Sequence, residues 1–80
     1  MNNELIAVTS MEAGDEGIIH AIEGEKSLAS RLAGMGIVQN SKIKVHRKSG
    51  GLVIVQVADT RVVLGNGEAS KIFSPARMAS

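Results

Sequence analysis

The sequence has no cysteine, tryptophan or tyrosine, and Phe73 is its only aromatic residue. Without cysteine, a disulfide, a thiolate metal site and a cysteine nucleophile are all excluded. The near absence of aromatic rings removes the stacking platforms that single-stranded nucleic-acid-binding domains use. The core must therefore be built from Val, Ile, Leu, Met and Ala.

An excess of charge is also missing, because nine basic and eight acidic residues leave a formal net charge of +1. This balance argues against a general electrostatic binder of nucleic acid or anionic lipid. No apolar run is longer than Leu52–Val55, which is far too short to span a bilayer, and residues 1–15 lack the features of a signal peptide. We therefore expect a cytoplasmic protein with no direct membrane insertion.

Eighty residues are enough for one small domain. The segment "SPARMAS" at the C-terminus contains Pro75 and small residues, which are typical of a frayed chain end. We expect a single domain over residues 1–74 and a flexible tail over residues 75–80.

Two stretches with β-strand patterns come before and after a helical one. In residues 18–23, strict alternation would place Ile18, His20 and Ile22 on one face, whereas a bulge or strong coiling would turn Ile19 and Ile22 inward. We expect the second arrangement, because small closed barrels coil their strands. In residues 41–48 the alternation is regular and predicts a half-buried strand with a basic outer face: Ile43, Val45 and Arg47 alternate with Lys42, Lys44, His46 and Lys48.

Glycine-containing turns divide the second half of the chain. The segment "KSGG", residues 48–51, can form a turn with positive φ before the β-branched strand "LVIVQV", and a tight connection at Asp59 and Thr60 precedes another strand. Two hairpins follow from this pattern. Residues 65–70 are expected to form a turn with one helical turn, and "KIF" a last short strand.

The segment "SLASRLAGMGIV", residues 27–38, predicts the one distinct helix. Ser27 is a candidate N-cap, and Leu28, Leu32 and Met35 form an apolar stripe at helical spacing. Gly36 suits the left-handed position of a Schellman motif, closed by Ile37. Gly34 costs about 1 kcal/mol within a helix, which suggests that another group packs close to its backbone.

These elements predict a mainly β protein, a small SH3-like barrel of about five antiparallel strands with one short α-helix, about residues 27–35, after the first long strand. The chain is too short for a parallel sheet with crossover helices, and closing an antiparallel sheet hides its edges.

Two clusters of residues resemble the FeoA family, the small cytoplasmic component of bacterial ferrous iron transport. The first is "RLAGMGI", residues 31–37, preceded by Ile19 and Ile22; the second comprises Val62, Val63, Leu64, Glu68, Ala69 and Ile72. The resemblance covers roughly residues 8–73. Many family members have Pro-Gly where this chain has Gln39-Asn40, and we expect the turn to persist because Asn tolerates positive φ.

The resemblance implies a non-enzymatic accessory of FeoB, a membrane ferrous-iron permease with a cytoplasmic GTP-binding domain. Two alternatives remain open at this stage. One is a regulatory module related to the C-terminal domain of iron-dependent repressors, and the other is a small nucleic-acid-binding barrel. We expect the first interpretation to hold, with the FeoB-type transporter as partner and no nucleic acid.

The sequence has no clear pattern of metal-ligating or catalytic residues. His20 and His46 are the only histidines and lie on different predicted strands, without the spacing that presets a metal site. The serines are scattered without a nucleophile elbow, and "GNGEASK" lacks the spacing of a phosphate loop. We expect no catalytic, cofactor or metal site. The candidate partner-binding residues are Arg31, Gly34 and Gly36 on the helix and Lys42, Lys44 and His46 on the basic strand.

Overall fold

The computed structural model describes residues 4–75, which form seven short strands, two helices and one 3-10 turn, Val8–Ser10. The strands are β1 Leu5–Ala7, β2 Glu16–Ile18, β3 Ala21–Ile22, β4 Lys42–Ser49, β5 Leu52–Val57, β6 Thr60–Gly65 and β7 Ile72–Pro75. The helices are α1 Lys26–Ala33 and α2 Asn66–Ala69.

The strands form two antiparallel sheets, one in the order β1-β7-β3 and the other in the order β2-β4-β5-β6. The mainly β architecture with a short helix before the longest strands is confirmed, and so are the two predicted hairpins. The strand count exceeds the predicted five because β1 carries no clear local signal and because residues 18–23 do not form one continuous strand.

Residues 16–22 join the two sheets instead. Beyond β2, the amide of Ile19 donates to the carbonyl of Ser41 over 2.9 Å, whereas the amide of the next residue, His20, donates to Phe73 of β7 over 2.8 Å. The backbone thus passes from one sheet to the other between two consecutive residues. Ile19 is fully buried and Ile18 is 42% exposed, which confirms the coiled arrangement and not strict alternation.

Gly17 of β2 packs closely against β7 of the other sheet. A Cβ atom at this position would lie 2.1 Å from Ser74 Oγ and 3.2 Å from Ser74 Cβ, and Ser74 is fully buried on β7. Packing therefore favours glycine here, because a methyl group would force the Ser74 side chain or one of the two strands to shift.

Fourteen buried apolar residues form one core between the sheets and α1. The helix contributes Leu32, which is fully buried, while Leu28 and Met35 are partly buried against the same cluster, as the stripe predicted. The core residues are Val8, Met11, Ile19, Leu32, Ile37, Ile43, Val45, Val53, Val55, Val57, Val62, Leu64, Ala69 and Ile72.

The C-terminal end of α1 has the predicted Schellman motif. Gly36 has φ +86°, its amide donates to Ala33 over 3.0 Å, and the amide of Ile37 donates to Leu32 over 2.9 Å. The predicted N-cap, Ser27, is wrong. The amides of Leu28 and Ala29 both donate to the carbonyl of Glu25, which places Glu25 at the N-cap and the helix start at Lys26.

The turns follow the predicted backbone preferences with one shift. Asn40 has φ +76°, and Gly50 and Gly51 have φ +46° and +85° between β4 and β5. In the next hairpin Val57 pairs with Thr60, so the two-residue turn is Ala58-Asp59, one residue earlier than predicted, and Ala58 has φ +55°.

The predicted C-terminal tail lies largely outside the described residues. Of the predicted tail, only Pro75 is described; it ends β7 opposite Leu5, and residues 76–80 lie outside the described residues. Between residues 4 and 75 no helix is long and apolar enough to cross a membrane.

We predict that Gly17→Ala destabilises the protein by about 1–3 kcal/mol, because the added methyl group overpacks a buried site. Urea denaturation followed by circular dichroism measures the free energy of unfolding. The matched control is Gly67→Ala in α2, where a Cβ would meet no atom within 4 Å, and this change should leave stability within about 0.5 kcal/mol or raise it.

A double-mutant cycle tests the cause of that effect. Ser74→Gly removes both atoms that the new methyl group would strike, so Gly17→Ala should cost less in the Ser74→Gly background than in the wild-type protein. An equal cost in both backgrounds would show that contact with Ser74 is not the reason.

Candidate functional site

The outer side of β4 carries the predicted basic residues, but only its first half follows the predicted alternation. Ile43 and Val45 are fully buried, and Lys42 and Lys44 are exposed. The pairing then shifts, because Val45 lies opposite Val55 and Arg47 opposite Ile54. His46 is therefore the extra residue of a β-bulge.

The bulge corrects two predictions. Arg47, expected to face inward with Val45, is exposed and shares the outer face with Ile54. Lys48 no longer continues the basic stripe, because it lies opposite the buried Val53 and its Nζ donates to the carbonyl of Thr9 over 3.0 Å. Burying the guanidinium of Arg47 without a partner would be costly, and the bulge avoids that cost.

A signal for the bulge is present in the sequence. The triplet "HRK" places three polar residues in succession, and a regular strand would have to direct at least one of them toward the core. Arg61 of β6, in contrast, has no such local signal and is not among the predicted contact residues. Its position in the outer-face row depends on the register, in which Gln56 lies opposite both Lys44 and Arg61.

Two of the predicted site residues, Gly36 and Lys42, line one groove. It lies between the end of α1, the start of β4 and the β5–β6 turn, and is lined by Met35, Gly36, Ser41, Lys42, Val57, Ala58 and Thr60. A second depression beside it is lined by Glu16, Lys42, Lys44, Gln56 and Ala58. We call these two adjoining depressions the Lys42 surface.

The Lys42 surface is basic with one acidic partner. Lys42 Nζ lies 3.2 Å from Glu16 Oε1, and both side chains are substantially exposed. Lys44 lies opposite Glu16 in the strand register. An exposed pair of this kind contributes little to stability. Both lysines are exposed and therefore accessible to a partner.

Arg31 belongs to a different region, the cleft between α1 and α2. Its Nη2 forms an ion pair with Oε2 of Glu68, whose Oε1 accepts a hydrogen bond from the amide of Gly65 over 3.2 Å. Arg31 thus connects α1 to the start of α2. The structure therefore brings Gly36, Lys42 and Lys44 together but places Arg31 elsewhere.

Gly34 does not have the close neighbour that the sequence suggested. A Cβ there would lie 3.4 Å from the carbonyl oxygen of Arg31 and 3.8 Å from that of Ser30, with no side chain within 4 Å. No barrel residue occupies the space beside Gly34, and its surface is exposed.

The two histidines lie in separate surroundings. His20 is exposed between β2 and β3 and lines a shallow groove with Ala33 and Val38, whereas His46 is the exposed bulge residue of β4. Across residues 4–75 no three His, Asp or Glu side chains are grouped so that they could hold a metal ion.

These observations define a small SH3-like β domain whose candidate sites are surface grooves and exposed strand residues. The sequence model of the FeoA domain family matches residues 6–74, so the chain belongs to the FeoA family. Members of this family are non-enzymatic accessory domains of iron transport.

Relatives agree with this assignment. The chain is 37% identical to the "Putative Fe(2+) transport protein A" of Methanocaldococcus jannaschii over 60 residues, which is 75% of this chain and 73% of that protein. Among solved structures, an "Iron Uptake Regulatory Protein (FeoA)" has a TM-score of 0.81 and 28% identity, covering 89% of this chain and 95% of that chain.

A manganese-dependent transcriptional repressor in complex with manganese shares the fold. Its TM-score is 0.85 at 22% identity, and the match covers 96% of this chain but only 39% of the repressor chain. At this identity the likeness extends to the fold alone.

We predict that Arg31→Gln lowers the free energy of unfolding by less than about 1 kcal/mol, because the Arg31–Glu68 pair is solvent-exposed on the arginine side. Arg31→Glu should cost more than Arg31→Gln, since it sets two carboxylates against each other. Urea denaturation at low and at about 0.5 M NaCl gives the measurement, and salt should bring the two variants closer together. Unfolding of Arg31→Gln in buffer would contradict this weak structural role.

Proposed function

We propose that this chain is a cytoplasmic accessory protein of ferrous iron uptake, which binds the cytoplasmic region of a FeoB-type GTPase permease and supports or regulates it. The observation that carries the proposal is the FeoA match over residues 6–74. The identity of 37% to a putative Fe(2+) transport protein A supports the same role.

The proposed partner contact includes the Lys42 surface, with Gly36, Lys42 and Lys44. An exposed groove with two accessible lysines suits a partner surface that carries carboxylates. Arg31, Gly34 and His46 remain proposed contact residues on the helix and at the bulge, although they lie outside this groove.

Iron itself is the cargo of the transporter in this proposal and is not bound by the accessory domain. The dispersed positions of His20 and His46 support this view. Titration of the purified protein with Fe(II) under anaerobic conditions in a calorimeter should give no stoichiometric heat. Micromolar binding at one Fe(II) per chain would contradict it.

We predict that the double change Lys42→Gln and Lys44→Gln weakens binding to the cytoplasmic region of the FeoB-type transporter of the same organism by about tenfold at low salt, because two complementary charges are lost. Calorimetry or interferometry gives the Kd with no nucleotide, with GDP and with a non-hydrolysable GTP analogue. The matched control, Lys26→Gln with Lys71→Gln, removes the same charge from exposed positions outside the Lys42 surface and should change Kd less than twofold.

The same purified chain should be tested against duplex DNA at 50 mM and 200 mM salt. We expect no binding, since the net charge of the chain is only +1. Binding of DNA in the absence of any binding to the transporter would replace the proposed function with a nucleic-acid role.

A further inference from the structure

The outer surface of β4, β5 and β6 exposes apolar side chains beside cations. Leu52 is 47% exposed, Val63 is 57% exposed, and Ile54 lies opposite both Val63 and Arg47 in the register. In an antiparallel sheet directly opposed residues share a face. We call the group of Arg47, Leu52, Ile54, Arg61 and Val63 the β4–β6 face.

Cations border the apolar residues on this face. Arg61 belongs to the row that also holds Gln56 and Lys44, and Arg47 is adjacent to Ile54. Within residues 4–75, no carboxylate lies within salt-bridge distance of Arg47, Arg61 or Lys44. The guanidinium groups are thus available for bidentate contacts with carboxylates.

The acidic groups near the face do not neutralise it. Glu16 lies on the far side of Lys44 and pairs with Lys42, and Asp59 lies in the β5–β6 turn. The outer side of this sheet carries four basic residues, Lys42, Lys44, Arg47 and Arg61, and one acidic residue, Glu16. The remaining sequence has five basic and seven acidic residues, so positive charge is concentrated on this sheet.

The combination favours a protein partner over nucleic acid or membrane. An apolar centre with a charged rim is the composition of a protein interface, in which arginine is enriched. Single-stranded nucleic acid would call for aromatic rings, which the face lacks, and interfacial membrane binding typically uses Trp, Phe or Leu on an amphipathic helix. An exposed strand surface of Leu, Ile and Val beside two arginines has the composition of a protein interface.

We infer that the β4–β6 face is a docking surface for an acidic protein segment, which packs apolar side chains on Leu52, Ile54 and Val63 and pairs carboxylates with Arg47 and Arg61. The inference rests on the proposed function, because it assigns this segment to the cytoplasmic region of the FeoB-type transporter. It extends the contact beyond the Lys42 surface across the sheet to β6.

Two substitutions test the two halves of the contact. Arg61→Glu reverses one charge and should raise the Kd for the transporter's cytoplasmic region by about tenfold at 50 mM NaCl, with a smaller effect at 300 mM. Val63→Thr keeps the β-branched shape at an exposed position while adding a hydroxyl, and should raise Kd about threefold to fivefold by weakening apolar packing. Circular dichroism and thermal unfolding confirm that each variant is folded.

Each substitution has a control with the same chemistry. Lys26→Glu reverses a charge at the exposed first residue of α1, where an acidic side chain suits the helix N-terminus. Val38→Thr makes the same apolar-to-polar change at a residue that is 40% exposed beside α1. Both controls should leave Kd within twofold of the wild-type value.

The outcomes separate the inference from the proposed function. If the wild-type chain binds the transporter region and the β4–β6 variants bind equally well, or if Val38→Thr alone weakens binding, the docking surface lies elsewhere and only this inference fails. If the wild-type chain does not bind the region at all, both fail.

Three further probes represent the other possible occupants of the face. The same variants are tested for binding to anionic vesicles of phosphatidylcholine and phosphatidylglycerol and to single-stranded DNA. Self-association with a second copy of this chain is measured by sedimentation. A response to Arg61→Glu in any of these, without one at the transporter region, would overturn the inference.

Discussion

The two sheets pack around one apolar core, and Gly17 of β2 lies directly against the buried side chain of Ser74 on β7. The absence of a side chain at Gly17 lets the strands approach to a distance that a methyl group would block. Immediately afterwards the backbone moves from one sheet to the other, between Ile19 and His20. The core depends on that junction, because Ile19, which lies at it, is a fully buried core residue.

The bulge at His46 has a comparable effect on the exposed side of the molecule. One extra residue moves Arg47 outward beside Ile54 and turns Lys48 toward the carbonyl of Thr9. The resulting outer surface is a two-dimensional arrangement of cations across β4, β5 and β6, whereas the sequence predicted a single line of charge along β4. A partner that contacts it can therefore span several strands, which is the kind of contact a protein surface makes.

The features that the sequence predicted are those with local causes. The end of α1 depends on Gly36 and its neighbours, and the Asn40 turn on one residue's tolerance of positive φ. The hairpins follow from short turns between apolar strands. The features it did not predict depend on distant partners: β1 needs β7 as its pair, and Arg31 meets a carboxylate 37 positions away. Register, close packing and cross-helix ion pairs arise only when the chain is folded, so residue patterns alone did not place Arg31 or assemble the β4–β6 face.

Glu68 uses its two carboxylate oxygens for two separate tasks, one toward Arg31 and one toward the amide of Gly65. A single side chain therefore contacts both α1 and the residue just before α2. A partner that displaced the guanidinium would also alter the electrostatic environment of the turn that follows β6, where the backbone leaves the four-stranded sheet. One carboxylate thus contacts both the helical side and the sheet side of this small barrel, although the two sides present different surfaces to the solvent.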